Sequence, residues 1–300
     1  MRAEGGIYCM GTAFSVVAYG PHLEPLNSAI TQALEEAKRL DAMLSNYRPE
    51  SDLSQVNRFA SHGPMAVSTE LFQFLSTCLA YSRASDGAFD ITVGPLVKIS
   101  GFFKDTGHLP RPEEVVGALD KVGYRKLILD EQNMTVCFAT EGMELDPGGI
   151  GKGFAVDNMA GLLQRHGVHS ALISAGGSTI YALGAPPNES GWKVSIKHPH
   201  KPSMVIETVR LKNEAISTSG TTEKSFWAEG KIWGHIMDPA TGYSSTDTLS
   251  VSVIAPKAVD SEAWTKPYFI LGRPWTEKHK PHGFRVFYCE AKPQSSCVWL

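Results

Sequence analysis

Residues 144–157 read Glu-Leu-Asp-Pro-Gly-Gly-Ile-Gly-Lys-Gly-Phe-Ala-Val-Asp, and their types suit the binding of a phosphate. Glycines at 148, 149, 151 and 153 let the backbone approach a ligand with no Cβ in the way. Asp146 precedes them and Lys152 lies among them. Ala155, Met159, Leu162 and Leu163 then recur at helical spacing until Gly167. A helix opening directly from the glycines offers its free N–H groups and positive dipole end to an anion. The familiar nucleotide loops do not match. Gly153 follows Lys152 where a Walker A loop needs Ser or Thr, and glycines at 149, 151 and 153 miss the G-x-G-x-x-G spacing. The plain alternative is a glycine turn required only for tight packing.

The elements that must hold this loop follow from periodicity and turn residues. Residues 11–19 read as a strand, and Asn27 is placed to cap a helix carrying Ile30, Leu34, Ala37, Leu40 and Leu44. A polar loop at 45–52 leads on to a helix capped by Ser68 or Thr69 that ends at Ser85-Asp86-Gly87. Pro112 opens a short helix, and residues 126–129 and 135–138 form a hairpin leading into the glycine loop. Residues 169–174 read as a strand entering a second glycine turn at Gly176-Gly177. Beyond it, strands are predicted at 192–196, 205–211, 215–218, 232–237, 249–255 and 284–289. A helix over 262–271 should bend at Pro267. Strands and helices in irregular order predict an α+β fold, not a regular βαβ array.

Composition narrows the function. Three hundred residues, 42% of them hydrophobic, build a large core, and no linker or repeat divides the chain, so 1–300 reads as one domain. A net charge of -3 gives no electrostatic footprint for nucleic acid. No stretch has the ~20 apolar residues of a membrane span, and no secretory signal opens the sequence as given. A cytoplasmic protein is expected on that basis, or an exported or anchored one if a leader precedes it. Cys9, Cys78, Cys137, Cys289 and Cys297 form no paired motif, so neither a zinc site nor a disulfide is expected.

Taken together, eight segments resemble the ApbE-type flavin transferase family. They are residues 10–12, 45–51, 87–96, 146–157, 175–177, 216–220, 235–242 and 250–256, in that order along the chain. The resemblance implies an FAD cleft between a helix-rich lobe and a sheet lobe built on a mixed or antiparallel sheet. It implies transfer of FMN from FAD onto a Thr or Ser hydroxyl of a target flavoprotein, with release of AMP. In many relatives that target is a membrane-bound redox subunit. Met10, Tyr47, Ala88, Phe89 and Asp90 map onto flavin or adenosine contacts; for Asp90 the alternative is a turn-capping carboxylate. Asp146, Gly148, Gly149, Lys152, Ser219 and Gly220 map onto the remainder of the FAD site. His235 matches the family histidine proposed to assist proton transfer, a role that the unperturbed near-neutral pKa of histidine suits; the alternative is a histidine paired on a strand beside the Asp238-Pro239 turn.

The chain departs from the family where Mg²⁺ should bind. The usual run is Ala-Asp-Ala-x-x-Thr before an apolar stretch ending in Gly, and its Asp and Thr hold the ion. Here Glu262 stands at the Asp position and Lys266 at the Thr position, with Thr265 one residue out of register, about 100° around the helix. Ser178 and Thr221 replace two further acids. A retained ion would rest on Glu262, Thr265 and the backbone near Gly149. A lysine beside the site would repel it, and Lys266, paired with Glu262 four residues earlier, could meet the pyrophosphate instead. A weakened or absent metal site is therefore expected. The alternatives to transfer are an FAD-binding homologue with little activity, or hydrolysis of FAD to FMN and AMP.

Overall fold

Strands β1 (Arg2–Cys9) and β2 (Thr12–Tyr19) form a hairpin across Met10 and Gly11, at φ 49° and 69°. Positive φ at both central residues is the turn whose twist matches a two-residue hairpin. The sequence reading missed β1 because Gly5 and Gly6 interrupt its alternation. Gly5 has a packing reason: a Cβ there would lie 2.8 Å from Ile30 Cγ2, so its absence lets helix α1 (Leu23–Leu44) lie close on the strand. This computed structural model describes residues 1–102, 107–221, 224–291 and 296–300.

After α1 come α2 (Asp52–Phe59), β3 (Met65–Ala66), α3 (Thr69–Ala84), α4 (Gly94–Ile99), α5 (Pro112–Leu119), β4 (Leu127–Asp130) and β5 (Thr135–Phe138). Ser68 caps α3 as expected, its hydroxyl accepting from Leu71 N at 3.2 Å. The remainder is α6 (Gly151–Arg165), β6 (Ser170–Ala175), β7 (Thr179–Leu183), β8 (Trp192–His198), β9 (Lys201–Leu211), β10 (Glu214–Gly220), β11 (Ser225–Ala228), β12 (Lys231–Gly234), β13 (Thr248–Ala255), α7 (Ala258–His279), β14 (Arg285–Glu290) and β15 (Cys297–Trp299). Eight strands form one sheet, in the order β1-β2-β6-β7-β10-β13-β14-β15, with every neighbouring pair antiparallel. The expected α+β class with an antiparallel sheet is what the chain adopts.

Alternating side chains serve opposite faces of that sheet. Phe14, Val16 and Ala18 of β2 join Ala171, Ile173 and Ala175 of β6 in the core beneath α1 and α6. The intervening Val17, Tyr19 and Leu172 meet Trp192, Val194 and Leu211 of the β8–β9 hairpin on the other face. Helix α7 covers the far strands, where Trp264, Tyr268 and Phe269 pack on Val251, Val253, Val286 and Tyr288. Full burial of a large apolar side chain contributes roughly 1.5–3 kcal/mol, so α7 is anchored firmly to the sheet.

Four local expectations are corrected. Asn27 does not cap α1. The helix starts four residues earlier, with Pro25 in its first turn, where a missing N–H costs nothing. Helix α7, at Ala258–His279, runs well past both ends of the expected 262–271 and continues through Pro267. Its non-helical residue is Gly272, at φ 81° and ψ 175°, with Pro274 shortly after it. The strand expected over 232–237 stops at Gly234, which leaves His235 just beyond its end. Finally, Cys289 and Cys297 lie opposite each other in the β14–β15 register and form a disulfide. That pairing depends on strand register, which no spacing motif announces.

Candidate active site at the glycine loop

Asp146 starts the loop by capping a short 3-10 turn, Pro147–Gly149, its Oδ1 accepting from Gly148 N at 2.7 Å. Its own N–H donates to Ile91 O at 2.7 Å, which ties the loop to the 87–92 segment. Helix α6 opens at Gly151, as the glycine pattern predicts. Its first turn rests directly on the first turn of α7. A Cβ on Gly153 would stand 2.4 Å from Ala258 O, so only glycine permits that approach. Asp157, one turn on, fixes the start of α7 by accepting from Ala258 N at 2.7 Å and Val259 N at 2.9 Å. The sequence reading assigned Asp157 no role, although it closes the motif.

This contact brings Glu262 under the loop. The Glu262 side chain is 2% exposed, its Oε2 accepts from Gly153 N at 2.5 Å, and Lys152 Nζ lies 2.8 Å from Oε1. Burial pushes the carboxyl up, but the ammonium groups of Lys152 and Lys266 outweigh it and hold Glu262 below the ordinary carboxylate range. Lys266 Nζ donates to the Glu262 backbone carbonyl at 3.1 Å. The expected Glu262–Lys266 carboxylate contact is thus replaced, in part, by one from Lys152. The Lys266 stem crosses Gly149, with Cε 3.3 Å from where a Cβ would lie, and the Phe89 ring approaches the same point at 3.5 Å. Gly149, Phe89 and Lys266 therefore converge. Thr265 points elsewhere. It is fully buried, donates to Glu262 O at 2.6 Å and pairs with Ser219 Oγ at 2.7 Å on β10, beside Gly220.

His235 faces the same charges. Burial, with the fields of Lys266, Lys152 and Lys224, brings its imidazole down to about 4, against the raising effect of a contact to Lys224 O at 3.3 Å. The ring is therefore neutral near pH 7. Protonating it favours the unfolded chain, so its contribution to stability is complete above about 6.5 and lost as pH falls towards 4. The expected result is a steeper loss of stability across that window in wild type than in His235→Asn, measured by urea unfolding at a series of pH values. Equal slopes would show that His235 does not titrate this way.

Of the other expected site residues, Phe89 approaches Gly149, and Tyr47 adjoins Asn46, a partner of Asp146. Met10 occupies the β1–β2 hairpin tip and packs partly against the core. Tyr47 is 60% exposed and follows Asn46, which hydrogen-bonds Asp146. Ala88 and Phe89 are buried, with Phe89 edge-on to Tyr81. Asp90 is engaged inside the protein: Oδ1 accepts from Thr92 N at 2.8 Å and Thr92 Oγ1 at 2.7 Å, and Oδ2 from Tyr124 N at 2.7 Å. That is the turn-capping alternative, and an amide would aim a donor at donors. Asp90→Asn is expected to cost about 2 kcal/mol in chemical denaturation and to leave FAD affinity of the folded protein within about threefold. A large loss of affinity with unchanged stability would make Asp90 a ligand contact.

Residues 10–282 match the ApbE family. The chain belongs to that family. An FAD:protein FMN transferase of Klebsiella pneumoniae (strain 342) is 34% identical over 268 residues, covering 88% of this chain and 80% of that protein. One of Treponema pallidum (strain Nichols) is 32% identical over 265 residues, covering 82% and 72%. Among solved structures, the ApbE protein of Thermotoga maritima superposes with a TM-score of 0.91 at 26% identity, covering 99% of this chain and 96% of that one. The apo flavinyl transferase ApbE of Pseudomonas stutzeri shares the fold, with a TM-score of 0.86 at 24% identity over 100% and 94%.

Among the described residues, this ApbE chain does not present the donor set needed by the Mg²⁺ that the sequence resemblance implies. Mg²⁺ takes six oxygens at about 2.0–2.1 Å in near-octahedral array. Glu262, at the acidic position, is closed by Lys152 and Gly153 N, and Thr265 points its hydroxyl at Glu262 O and Ser219. Two unit charges about 4 Å apart interact by roughly 4 kcal/mol at an effective dielectric near 20, and a dication beside an ammonium doubles that repulsion. With Lys152 and Lys266 both at Glu262, the described residues there do not fit a divalent cation.

Proposed function

We propose that this chain transfers the FMN part of FAD to a Thr or Ser hydroxyl of an acceptor protein. The observation that carries the reading is the family match over residues 10–282, in a chain that keeps the glycine loop with lysines and a neutral histidine around it. The hydroxyl oxygen bonds to the FMN-side phosphorus, the diphosphate P–O bond breaks, and AMP leaves with the bridging oxygen. Phosphoryl transfer of this kind depends on positioning and on neutralising charge, with little covalent work for the protein.

The chain's residues supply those needs. Loop N–H groups at the start of α6 and the ammonium groups of Lys152 and Lys266 face the diphosphate. Phe89, buried beside Gly149, backs the loop from inside the protein and holds it in place. The neutral imidazole of His235 takes the hydroxyl proton as the new bond forms. Among the described residues, no helix is long and apolar enough to cross a membrane. The test is AMP release from FAD, followed by chromatography, with and without a flavoprotein acceptor. AMP that forms only with the acceptor supports transfer, whereas equal AMP and free FMN without it would make the chain a hydrolase.

A further inference from the structure

We propose that Lys266, with Lys152 beside it, is a resident countercharge for the diphosphate, so that this chain binds FAD without a divalent ion. The proposal rests on the transferase reading for the identity of the ligand. Its geometry comes from three contacts that converge on Glu262. Lys152 Nζ lies 2.8 Å from the carboxylate, Gly153 N donates to it at 2.5 Å, and Lys266 Nζ donates to the backbone carbonyl of the same residue at 3.1 Å. Glu262 thus holds both ammonium groups at the mouth of the glycine loop, Lys152 through its carboxylate and Lys266 through its backbone carbonyl.

The position of Lys266 is specific. It lies four residues after Glu262 on α7, so both project from one helix face, and its stem runs across Gly149 with Cε 3.3 Å from the Cβ position. The ammonium is therefore carried over the backbone that a diphosphate must approach. Both lysines also oppose protonation of the His235 imidazole. A phosphate seated there meets both ammonium groups at the start of α6. Glu262, fixed by Gly153 N, keeps the lysines in place between turnovers. A lysine acts on phosphate as a point charge and needs no further ligand to complete a coordination sphere. Thr265, turned towards β10 and fully buried, leaves Lys266 as the α7 group over the loop.

The experiment is FAD titration by calorimetry on the full chain, in EDTA and in excess Mg²⁺, for wild type, Lys266→Thr and Lys266→Met. Wild-type affinity should agree within about twofold between the two conditions. Loss of a charge-assisted contact should weaken binding by ~10–100-fold in EDTA for both variants. Mg²⁺ should restore part of that loss in Lys266→Thr and none in Lys266→Met, whose apolar stem still covers Gly149. Circular dichroism melts confirm that each variant is folded, and Lys266→Met carries the test if Lys266→Thr is not. Wild-type binding that drops tenfold or more in EDTA overturns the proposal and leaves the transferase reading intact. So does EDTA binding by a folded variant that equals wild type. Absence of FAD binding by wild type in both conditions overturns the transferase reading, and this proposal with it.

Discussion

Gly153→Ala is expected to lower stability by about 3 kcal/mol and to weaken FAD binding along with it. The added Cβ would stand 2.4 Å from Ala258 O and 2.8 Å from Ala258 C and Val259 Cα. All three are main-chain atoms, so no rotamer change relieves the clash, and α6 and α7 must part. Overpacking of this kind costs roughly 1–3 kcal/mol. Separation also stretches the Gly153 N–Glu262 bond, and a hydrogen bond to a charged group is worth about 1.5–3 kcal/mol. The better helix propensity of alanine returns about 1 kcal/mol. Gly161→Ala on the same helix is the control. Its Cβ would meet only Arg165 Nη1, at 3.4 Å, so it should be neutral or stabilising. Urea unfolding of both variants checks the pair, and a Gly153→Ala loss under 1 kcal/mol would mean the helices are not held together there.

His235→Asn is expected to slow transfer by ~10²–10⁴-fold while FAD affinity stays within about threefold. The imidazole is neutral near pH 7 because burial and three lysines oppose its protonation, so it can accept a proton without first losing one. Bound diphosphate places negative charge in the same field and should raise the imidazole pKa towards neutrality. The rate in the wild type should therefore fall on the acid side through a group absent from His235→Asn. Single-turnover transfer across pH, with affinity measured separately, provides the check. A variant with wild-type rate, or one whose loss lies entirely in affinity, would remove His235 as the base.

Local patterns carried the parts of this molecule that were legible in its sequence. The glycine loop and α6 were readable because glycine placement and helical spacing act within a few residues. The Ser68 cap and the β4–β5 hairpin were readable for the same reason. Strand β1 was hidden by Gly5, whose purpose is a contact with Ile30 on a later helix. The charge cluster was half legible. Four-residue spacing puts Lys266 and Glu262 on one helix face, but the carboxylate's partner is Lys152, which only the α6–α7 contact brings near. Asp90 shows the opposite limit. Its place in the motif pointed to a ligand, while Oδ1 caps the turn at Thr92, the alternative reading, and Oδ2 reaches Tyr124 N, a contact that spacing does not reveal.

The most direct measurement is the intact mass of a purified acceptor flavoprotein after incubation with this chain and FAD, with AMP quantified in the same sample. The account predicts that the acceptor gains the mass of FMN less one water on a single Thr or Ser, with AMP released one for one. It also predicts that EDTA leaves the yield unchanged. Free FMN with an unmodified acceptor, or neither product from bound FAD, would contradict it.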